Sequence, residues 1–295
     1  MKVKLVVLAV LSFTVMACGS QQSPTVEALS NSEEASLVEQ APLNLGPVDA
    51  HPSKIIGSSS LLSVKVDGSN VDANLRPYLN AFGIISIEGK GICSGTHIGN
   101  GLVITAGHCF FDEKPGNMTS TNAACPNIKV YWGYRGSPAN GNPKPVVSAK
   151  SQCTKLIYAE RSNEKDFAIF KVDQAPNVSI PISTDTQKTP TGTKLTVFGY
   201  PQGRPLEWSQ YCPLSGTAGS SFGFTGSATF IYQCDTEPGN SGSSVLAVTS
   251  TGVVKVIGVH DGAAPSGVDY NYATYMIDVR STLAKKGFNL DRASK

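Results

Sequence analysis

Ser241 is the first candidate for chemistry, because it stands in the stretch TEPGNSGSSV between Asn240 and Gly242. A serine hydroxyl is a weak nucleophile unless a base removes its proton and hydrogen-bond donors stabilise the oxyanion that forms. Gly239 lets the backbone turn so that its own N–H and the N–H of Ser241 can point at one place, which predicts an oxyanion hole formed by these two amides. Taken alone, the stretch is equally typical of a Gly- and Ser-rich β-turn.

A base for this serine must come from elsewhere in the chain, which contains four histidines: His51, His97, His108 and His260. His51 lies in a polar segment that is predicted to be disordered. His108 ends a run of Val and Ile in the stretch ITAGHC, where small neighbours leave room around an imidazole. A histidine at the end of a strand is most often a satisfied core residue, so His108 gains weight only beside a nucleophile and a carboxylate.

Asp166 is the best match for a carboxylate that orients this histidine. It begins the apolar stretch DFAIFKV, which would hold it at the edge of the core. A carboxylate is tolerated there when it hydrogen-bonds an imidazole. Asp112 and Asp173 are rivals by residue type, but neither starts an apolar strand. An exposed aspartate at the start of a strand is the alternative interpretation of Asp166.

The elements that must position these residues are short strands. The stretches rich in β-branched or aromatic residues are GIISIE, GLVITAG, IKVYWGY, DFAIFKV, KLTVFGY, ATFIYQC, SSVLAV and VVKVIGV. They are bounded by Gly, Pro or Asn and predict an all-β protein. Only Asp278 to Phe288 predicts a helix, with Asp278 as its N-cap and Gly287 at its end. A net charge of +2 indicates neither nucleic acid nor a membrane surface as a partner.

TAGHC, DFAIF and GNSGS, in the chain order His, Asp, Ser, resemble the three catalytic motifs of chymotrypsin-like serine proteases. The resemblance extends from about residue 55 to the C-terminus. It implies an all-β fold of two six-stranded Greek-key β-barrels with a short C-terminal helix. It also implies a catalytic triad of His108, Asp166 and Ser241. A polar stretch around residue 180 divides the strands, which predicts an N-terminal barrel at 55–180 and a C-terminal barrel with the helix at 181–295.

VFGYP, DTEPGNSGSSV and VIGVHDG, followed by a C-terminal helix, resemble the bacterial V8-like glutamyl endopeptidases. That resemblance implies that Thr236 and His260 line the primary specificity pocket, where a hydroxyl and an imidazole would bind the carboxylate of a substrate Glu. Asp261 follows His260 where those enzymes usually have Trp. Asp235 stands where trypsin has the carboxylate that attracts Lys or Arg, so tryptic specificity through Asp235 is an alternative.

The mode of activation depends on Asn240. Digestive enzymes of this superfamily have Asp at that place, and it pairs with the ammonium that propeptide cleavage creates. Asn240 has no charge, which argues against such an ion pair but not against catalysis. The stretch SKIIGSSS resembles a tryptic activation site at Lys54–Ile55, and Glu34 and Glu39 are rival self-processing sites.

The first residues have the layout of an export signal. A signal peptide is predicted at 1–17, where lysines precede an apolar run that is too short to span a membrane. VMAC resembles a lipobox, which makes Cys18 the predicted lipidation site; ordinary cleavage after Ala17 is the alternative. The polar segment 18–54 predicts a disordered tether or propeptide. The sequence therefore predicts export from a bacterial cell, with the protein anchored by lipid or released after processing.

The cysteine count agrees with lipidation, because a lipid on Cys18 leaves six of the seven cysteines to pair. A bond between Cys93 and Cys109 would fix the histidine loop and contribute about 3 kcal/mol for a short loop. The remaining expected pairs are Cys125 with Cys153 and Cys212 with Cys234. Neither CxxC nor HxxxH spacing occurs, so no metal and no other cofactor is predicted.

The sequence thus predicts a monomeric serine endopeptidase whose partners are polypeptide substrates. Nucleic acid is not an expected partner, and a membrane is expected only through the lipid anchor. A second class of function is a surface lipoprotein that uses the barrels for binding and has no catalytic activity.

Overall fold

The computed structural model describes residues 38–39, 43, 45, 47–48, 52–88, 91–111, 118–136, 144–219, 224, 226–264 and 267–295. The predicted signal peptide, the lipidation site Cys18, the rival carboxylate Asp112 and much of the predicted tether lie outside these residues. Within the described part, we find no helix with the length and apolar character needed to cross a membrane.

The first ten strands are β1 (Val38–Glu39), β2 (Leu62–Ser63), β3 (Phe82–Ile87), β4 (Gly91–Gly99), β5 (Leu102–Thr105), β6 (Met118–Ala123), β7 (Ile128–Trp132), β8 (Val146–Val147), β9 (Ala149–Arg161) and β10 (Asp166–Val172). Six of them form a closed antiparallel barrel in the order β10-β5-β4-β3-β7-β9, which β10 closes by pairing with both β5 and β9. Strand β6 extends this sheet from β9, and β1 pairs with β8.

The other strands are β11 (Lys194–Gly199), β12 (Glu207–Trp208), β13 (Cys212–Thr217), β14 (Thr229–Tyr232), β15 (Ser244–Val248), β16 (Val254–Ala263) and β17 (Asn271–Tyr275). The second ring runs β13-β14-β17-β16-β15-β11 and closes where β11 pairs with β13. Strands β12 and β2 extend this second sheet from β11. Strand β2, which precedes the first barrel in the chain, thus joins the second sheet. The predicted all-β double-barrel fold is confirmed.

Each barrel is filled by apolar side chains because alternate residues of its strands point inward. In β7 the residues alternate between buried and more exposed, with Ile128, Val130 and Trp132 inside. A separate cluster, which includes residues of both barrels, joins them. In that cluster the rings of Phe82 and Phe198 stack with centroids 4.7 Å apart. The boundary between the barrels is therefore a packed core.

The structure contains all three expected disulfides: Cys93–Cys109, Cys125–Cys153 and Cys212–Cys234. Parts of the segment predicted as a tether also contact the folded unit. Leu45 is buried in the shared cluster, and Val48 bridges to Ile92 of β4. These apolar contacts accompany the β1–β8 pairing.

The predicted helix is present but starts elsewhere. Helix α1 spans Met276–Lys285 and follows β17 directly, with Tyr275 in the N-cap position and no side-chain cap. The prediction of Asp278 as N-cap is wrong. This residue lies in the first turn, where a carboxylate interacts favourably with the helix dipole. Gly287 follows the end with φ of +80°, and a further helix, α2 (Leu290–Ala293), was not predicted.

Candidate active site

His108 lies where a fully buried strand of the first barrel ends. Strand β5 is buried along its whole length, and the chain then enters a short 3-10 turn that begins at His108. Gly107 is required before this turn, because a Cβ there would lie 1.9 Å from the carbonyl oxygen of Glu160. The disulfide between Cys109 and Cys93 ties the turn to β4. Close packing and a covalent bond therefore fix the position of the imidazole.

Asp166 accepts two hydrogen bonds from His108. Its Oδ2 lies 2.7 Å from His108 Nδ1, and its Oδ1 lies 2.8 Å from the backbone nitrogen of His108. The two residues are only 3% and 6% exposed, respectively. An ionised Asp166 has no proton to donate, so Nδ1 carries the hydrogen and Nε2 is left as the basic atom. The pair has the geometry of a general base with its orienting carboxylate.

Asp166 is also held by the second barrel. Its backbone nitrogen donates to Thr274 Oγ1 at 2.9 Å, from the first barrel's β10 to the second barrel's β17. The carboxylate therefore lies at the boundary between the barrels, whereas the sequence predicted only a place at the edge of the core.

The loop that carries Ser241 packs against the end of the strand that leads to His108. Gly242 has φ of +85°, and a Cβ there would lie 2.1 Å from Thr105 Oγ1 and 2.7 Å from the nitrogen of Ala106. Ser241 is completely buried, and within the described part of the chain its Oγ has no hydrogen-bond partner. It thus makes no bond to His108 in this state; such bonds often tighten only when substrate binds.

Ser94 of β4 holds this loop from the first barrel. Its backbone nitrogen donates to the carbonyl oxygen of Ser241 at 2.8 Å, and its hydroxyl donates to the carbonyl oxygen of Gly239 at 2.9 Å. The same hydroxyl accepts a bond from the nitrogen of Tyr200 at 3.0 Å. One residue thus positions both residues whose amides were predicted to form the oxyanion hole, Gly239 through its side chain and Ser241 through its backbone.

The two predicted oxyanion donors are the N–H groups of Gly239 and Ser241. Neighbouring amides are satisfied: the N–H of Asn240 donates to Glu237 at 3.0 Å and that of Gly242 to His260 at 2.9 Å. Among the described residues we find no acceptor for the N–H of Gly239 or of Ser241. Gly239 has φ of +97°, so the glycine provides the left-handed backbone that the turn requires. Such free amides can bind a developing oxyanion.

The predicted specificity residues both contact the segment that precedes the first barrel. His260 is completely buried, with Nδ1 2.6 Å from the hydroxyl of Tyr232 and Nε2 3.1 Å from the hydroxyl of Ser53. Thr236 is also buried, and its N–H donates to the carbonyl oxygen of Lys54 at 3.1 Å. Within the described ranges its Oγ1 has no partner. The pocket thus has a hydroxyl and an imidazole edge beside Ser53 and Lys54.

Tyr232 determines which nitrogen of His260 carries the proton. Burial raises the pKa of Tyr232 well above its ordinary value, so the phenol stays protonated. Among the described residues the hydroxyl has one partner, Nδ1 of His260, so the phenol donates to it, and in a neutral ring the hydrogen lies on Nε2. The imidazole therefore presents a donor toward Ser53.

The profile of the trypsin-like peptidase domain matches residues 93–259, which include His108, Asp166 and Ser241. The chain belongs to this family. Over 194 residues it is 26% identical to a glutamyl endopeptidase of Bacillus licheniformis. That match covers 62% of this chain and 55% of the relative, so the chain spans little more than half of the relative's length.

Two solved structures share the fold of this trypsin-like peptidase. A Glu endopeptidase in complex with MPD has a TM-score of 0.54 and 22% identity, with 79% of this chain and 99% of that chain covered. An inactive form of Rv3671c from M. tuberculosis has a TM-score of 0.52 and 18% identity, with 81% and 97% covered. At these identities the likeness shows the double-barrel fold alone.

Asp235 of this trypsin-like peptidase is occupied by the N-terminal segment. Its Oδ1 accepts from the N–H of Ile56 at 2.7 Å, and its Oδ2 accepts from the N–H and the hydroxyl of Ser60 at 2.6 and 2.7 Å. Three donors thus hold a carboxylate that is only 2% exposed. Asn240, five positions later, is also buried, and its Oδ1 has no partner among the described residues. The segment is therefore anchored on Asp235.

Asp261 is the residue near the site that sequence reasoning missed. The sequence showed only that it replaces a usual Trp, whereas the structure places its Oδ1 3.7 Å from His108 Nδ1. The only available signal was a carboxylate directly after a predicted pocket residue, which gave no information on the direction of the side chain.

Proposed function

We propose that the protein is a serine endopeptidase in which Ser241 is the nucleophile, His108 the general base and Asp166 the carboxylate that orients it. The observation that carries this proposal is the pair of short bonds from His108 to Asp166, next to a loop whose serine hydroxyl is buried and has no partner among the described residues. Membership of the trypsin-like peptidase family supports it, and implies polypeptide substrates.

In the proposed reaction, Ser241 Oγ attacks the carbonyl carbon of the scissile peptide while His108 Nε2 takes its proton. The carbonyl becomes an oxyanion, which the N–H groups of Gly239 and Ser241 stabilise. Collapse of this intermediate breaks the C–N bond, and the leaving amine receives the proton from His108. Water then attacks the acyl-enzyme by the same route and releases the acid and Ser241.

The pocket favours cleavage after Glu. His260 presents Nε2 as a donor, and Thr236 contributes a hydroxyl that lacks a described partner, so a substrate carboxylate would gain charge-assisted bonds there. The alternative of Lys or Arg specificity needs a free carboxylate in Asp235. That carboxylate already accepts three bonds from Ile56 and Ser60, which argues against the tryptic alternative.

The N-terminal segment must move before such a substrate binds. The hydroxyl of Ser53 occupies Nε2 of His260, the atom that the substrate carboxylate would use. The Lys54 carbonyl accepts bonds from Thr236 and from the side chain of Asn271, so cleavage at Lys54–Ile55 requires this clamp to open first. Processing there, or after Glu34 or Glu39, would remove Ser53 or free it to leave.

Export and lipid anchoring complete the proposal. Three disulfides are typical of proteins in oxidising compartments outside the cytoplasm. A lipid on Cys18 would attach the enzyme to a membrane until processing releases it. Mass spectrometry of the mature N-terminus tests both points: an unmodified chain that still begins at Met1 would contradict them.

The proposed activity is tested with a fluorophosphonate probe and peptides that differ only in Glu, Gln or Lys at the cleaved position. We expect labelling of the wild type and of Ser243→Ala, a control in the same loop, and none of Ser241→Ala. Cleavage is expected mainly after Glu. An unlabelled, folded wild type would instead support the non-catalytic binding lipoprotein.

A further inference from the structure

Asp261 lies at an irregularity in strand β16. His260 pairs with Ala273 and Gly262 pairs with Tyr272 across β17, so Asp261 has no residue opposite it. A β-bulge of this kind redirects the side chain of the extra residue, and bulges are common beside active sites. The bulge explains how a residue next to the pocket histidine can reach the catalytic pair.

The side chain of Asp261 forms a compact cluster with that pair. A ring nitrogen of His108, a carboxylate oxygen of Asp166 and a carboxylate oxygen of Asp261 all lie within 4.8 Å of one another. A hydrogen bond with the carboxyl group of Asp166 is among the causes that raise the pKa of Asp261. Asp261 is 9% exposed, so water screens this contact poorly.

Two carboxyl groups that share a hydrogen bond cannot both be ionised at low cost. Asp166 is the ionised member because it accepts two bonds from His108. Asp261 must then contribute the proton of the shared bond. Burial, and next the charge of Asp166, raise the pKa of Asp261 well above its ordinary value, while His108 and Arg161 oppose the shift.

The remaining titratable groups that face Asp261 are two tyrosines. Burial raises the pKa of Tyr272 and of Tyr232, so both phenols stay neutral. Arg161 is therefore the one cation besides His108 that acts on Asp261 among the described residues. The neutral tyrosines do not favour an ionised Asp261.

We propose that Asp261 is a positioning residue that, as a neutral carboxylic acid, donates a hydrogen bond to Asp166 and thereby holds that carboxylate against His108. The role in turnover rests on the proposed serine endopeptidase function. The hydrogen bond itself does not, so it can be tested without activity.

The first test compares Asp261→Ala with Asp261→Asn, whose amide can still donate to Asp166. We expect Asp261→Ala to lower kcat about tenfold with little change in KM, and Asp261→Asn to restore most of the loss. The kcat of the wild type should fall relative to that of Asp261→Asn as the pH rises through the raised pKa of Asp261, because only the wild type can ionise here and lose the donated hydrogen bond. Equal kcat values for the two variants, or a constant ratio of wild type to Asp261→Asn across pH, would overturn the proposal.

The second test uses inactive Ser241→Ala protein and measures Tm with and without Asp261→Asn, from about pH 4 to about pH 9. A raised pKa means that stability from the neutral form is complete below about pH 4 and is lost as the pH rises through the folded-state value. The Tm advantage of Asp261→Asn should therefore grow with pH. A pH-independent difference in Tm would refute the neutral carboxyl group of Asp261, whether or not the wild type is an active enzyme. An inactive wild type with the growing difference would refute only the proposed function.

Discussion

The His108–Asp166 pair and the Thr236–His260 pocket differ in the source of their hydrogen-bond partners. The pair is complete within the barrels, since Asp166 accepts both the ring and the backbone N–H of His108. The pocket is completed by the N-terminal segment, because Ser53 contacts His260 and Lys54 contacts Thr236. The fold thus orients the proposed catalytic base on its own, whereas access to the proposed pocket depends on a segment that the proposed processing would remove.

The largest effect is expected at the pair. Asp166→Asn should lower kcat about 10⁴-fold, because the amide stabilises the wrong tautomer of His108. Steady-state kinetics measures the loss. Asp173→Asn is a matched control near the end of the same strand, where the carboxylate accepts backbone bonds at an exposed site. A comparable loss in the control, or none in Asp166→Asn, would contradict the assignment.

In the pocket, the effect should appear in selectivity. His260→Ala should reduce the preference for Glu over Gln about thirtyfold, the loss of one charge-assisted hydrogen bond. Competition between the two peptides measures this ratio. His97→Gln, at a buried histidine of the first barrel, is the control. Unchanged preference in His260→Ala would reject acidic recognition by this residue.

Replacement of Asp235 tests whether this residue anchors the N-terminal segment or determines substrate specificity. Asp235→Ala should lower the free energy of unfolding by about 2 kcal/mol, because it leaves donors of Ile56 and Ser60 without their acceptor. Urea denaturation measures this change. Cleavage after Lys should stay as slow as in the wild type; the tryptic alternative instead requires a large change in Lys cleavage when Asp235 is removed.

The smallest effect concerns Ser53 in the unprocessed chain. Ser53→Ala should lower KM for a Glu peptide about threefold, since Nε2 of His260 then has one competitor fewer. The intact N-terminus must be verified by mass spectrometry before the assay. Ser58→Ala, at an exposed position of the same segment, should leave KM unchanged. Equal KM values for wild type and Ser53→Ala would show that the segment does not compete with substrate.

The sequence predicted those parts of the fold whose residue pattern lies within a single strand or a single loop. Apolar runs identified β5 and β10, and with them His108 and Asp166. Strand β9, Ala149–Arg161, was missed because its many polar residues interrupt the apolar pattern. The sequence could not show the contact between Ser53 and His260, because it joins residues 207 positions apart. Nor could it show that a bulge turns Asp261 toward the pair, since this depends on strand register.

The position of Ser241 depends on Ser94 and therefore on the assembly of both barrels. Ser94 belongs to the first barrel, yet it forms hydrogen bonds with the main chain on both sides of Asn240 in the second barrel. A C-terminal fragment expressed alone would contain the proposed nucleophile without Ser94, which holds its loop, and without the proposed base. Cutting the chain between the barrels would therefore yield two inert fragments whose activity returns only on reassociation.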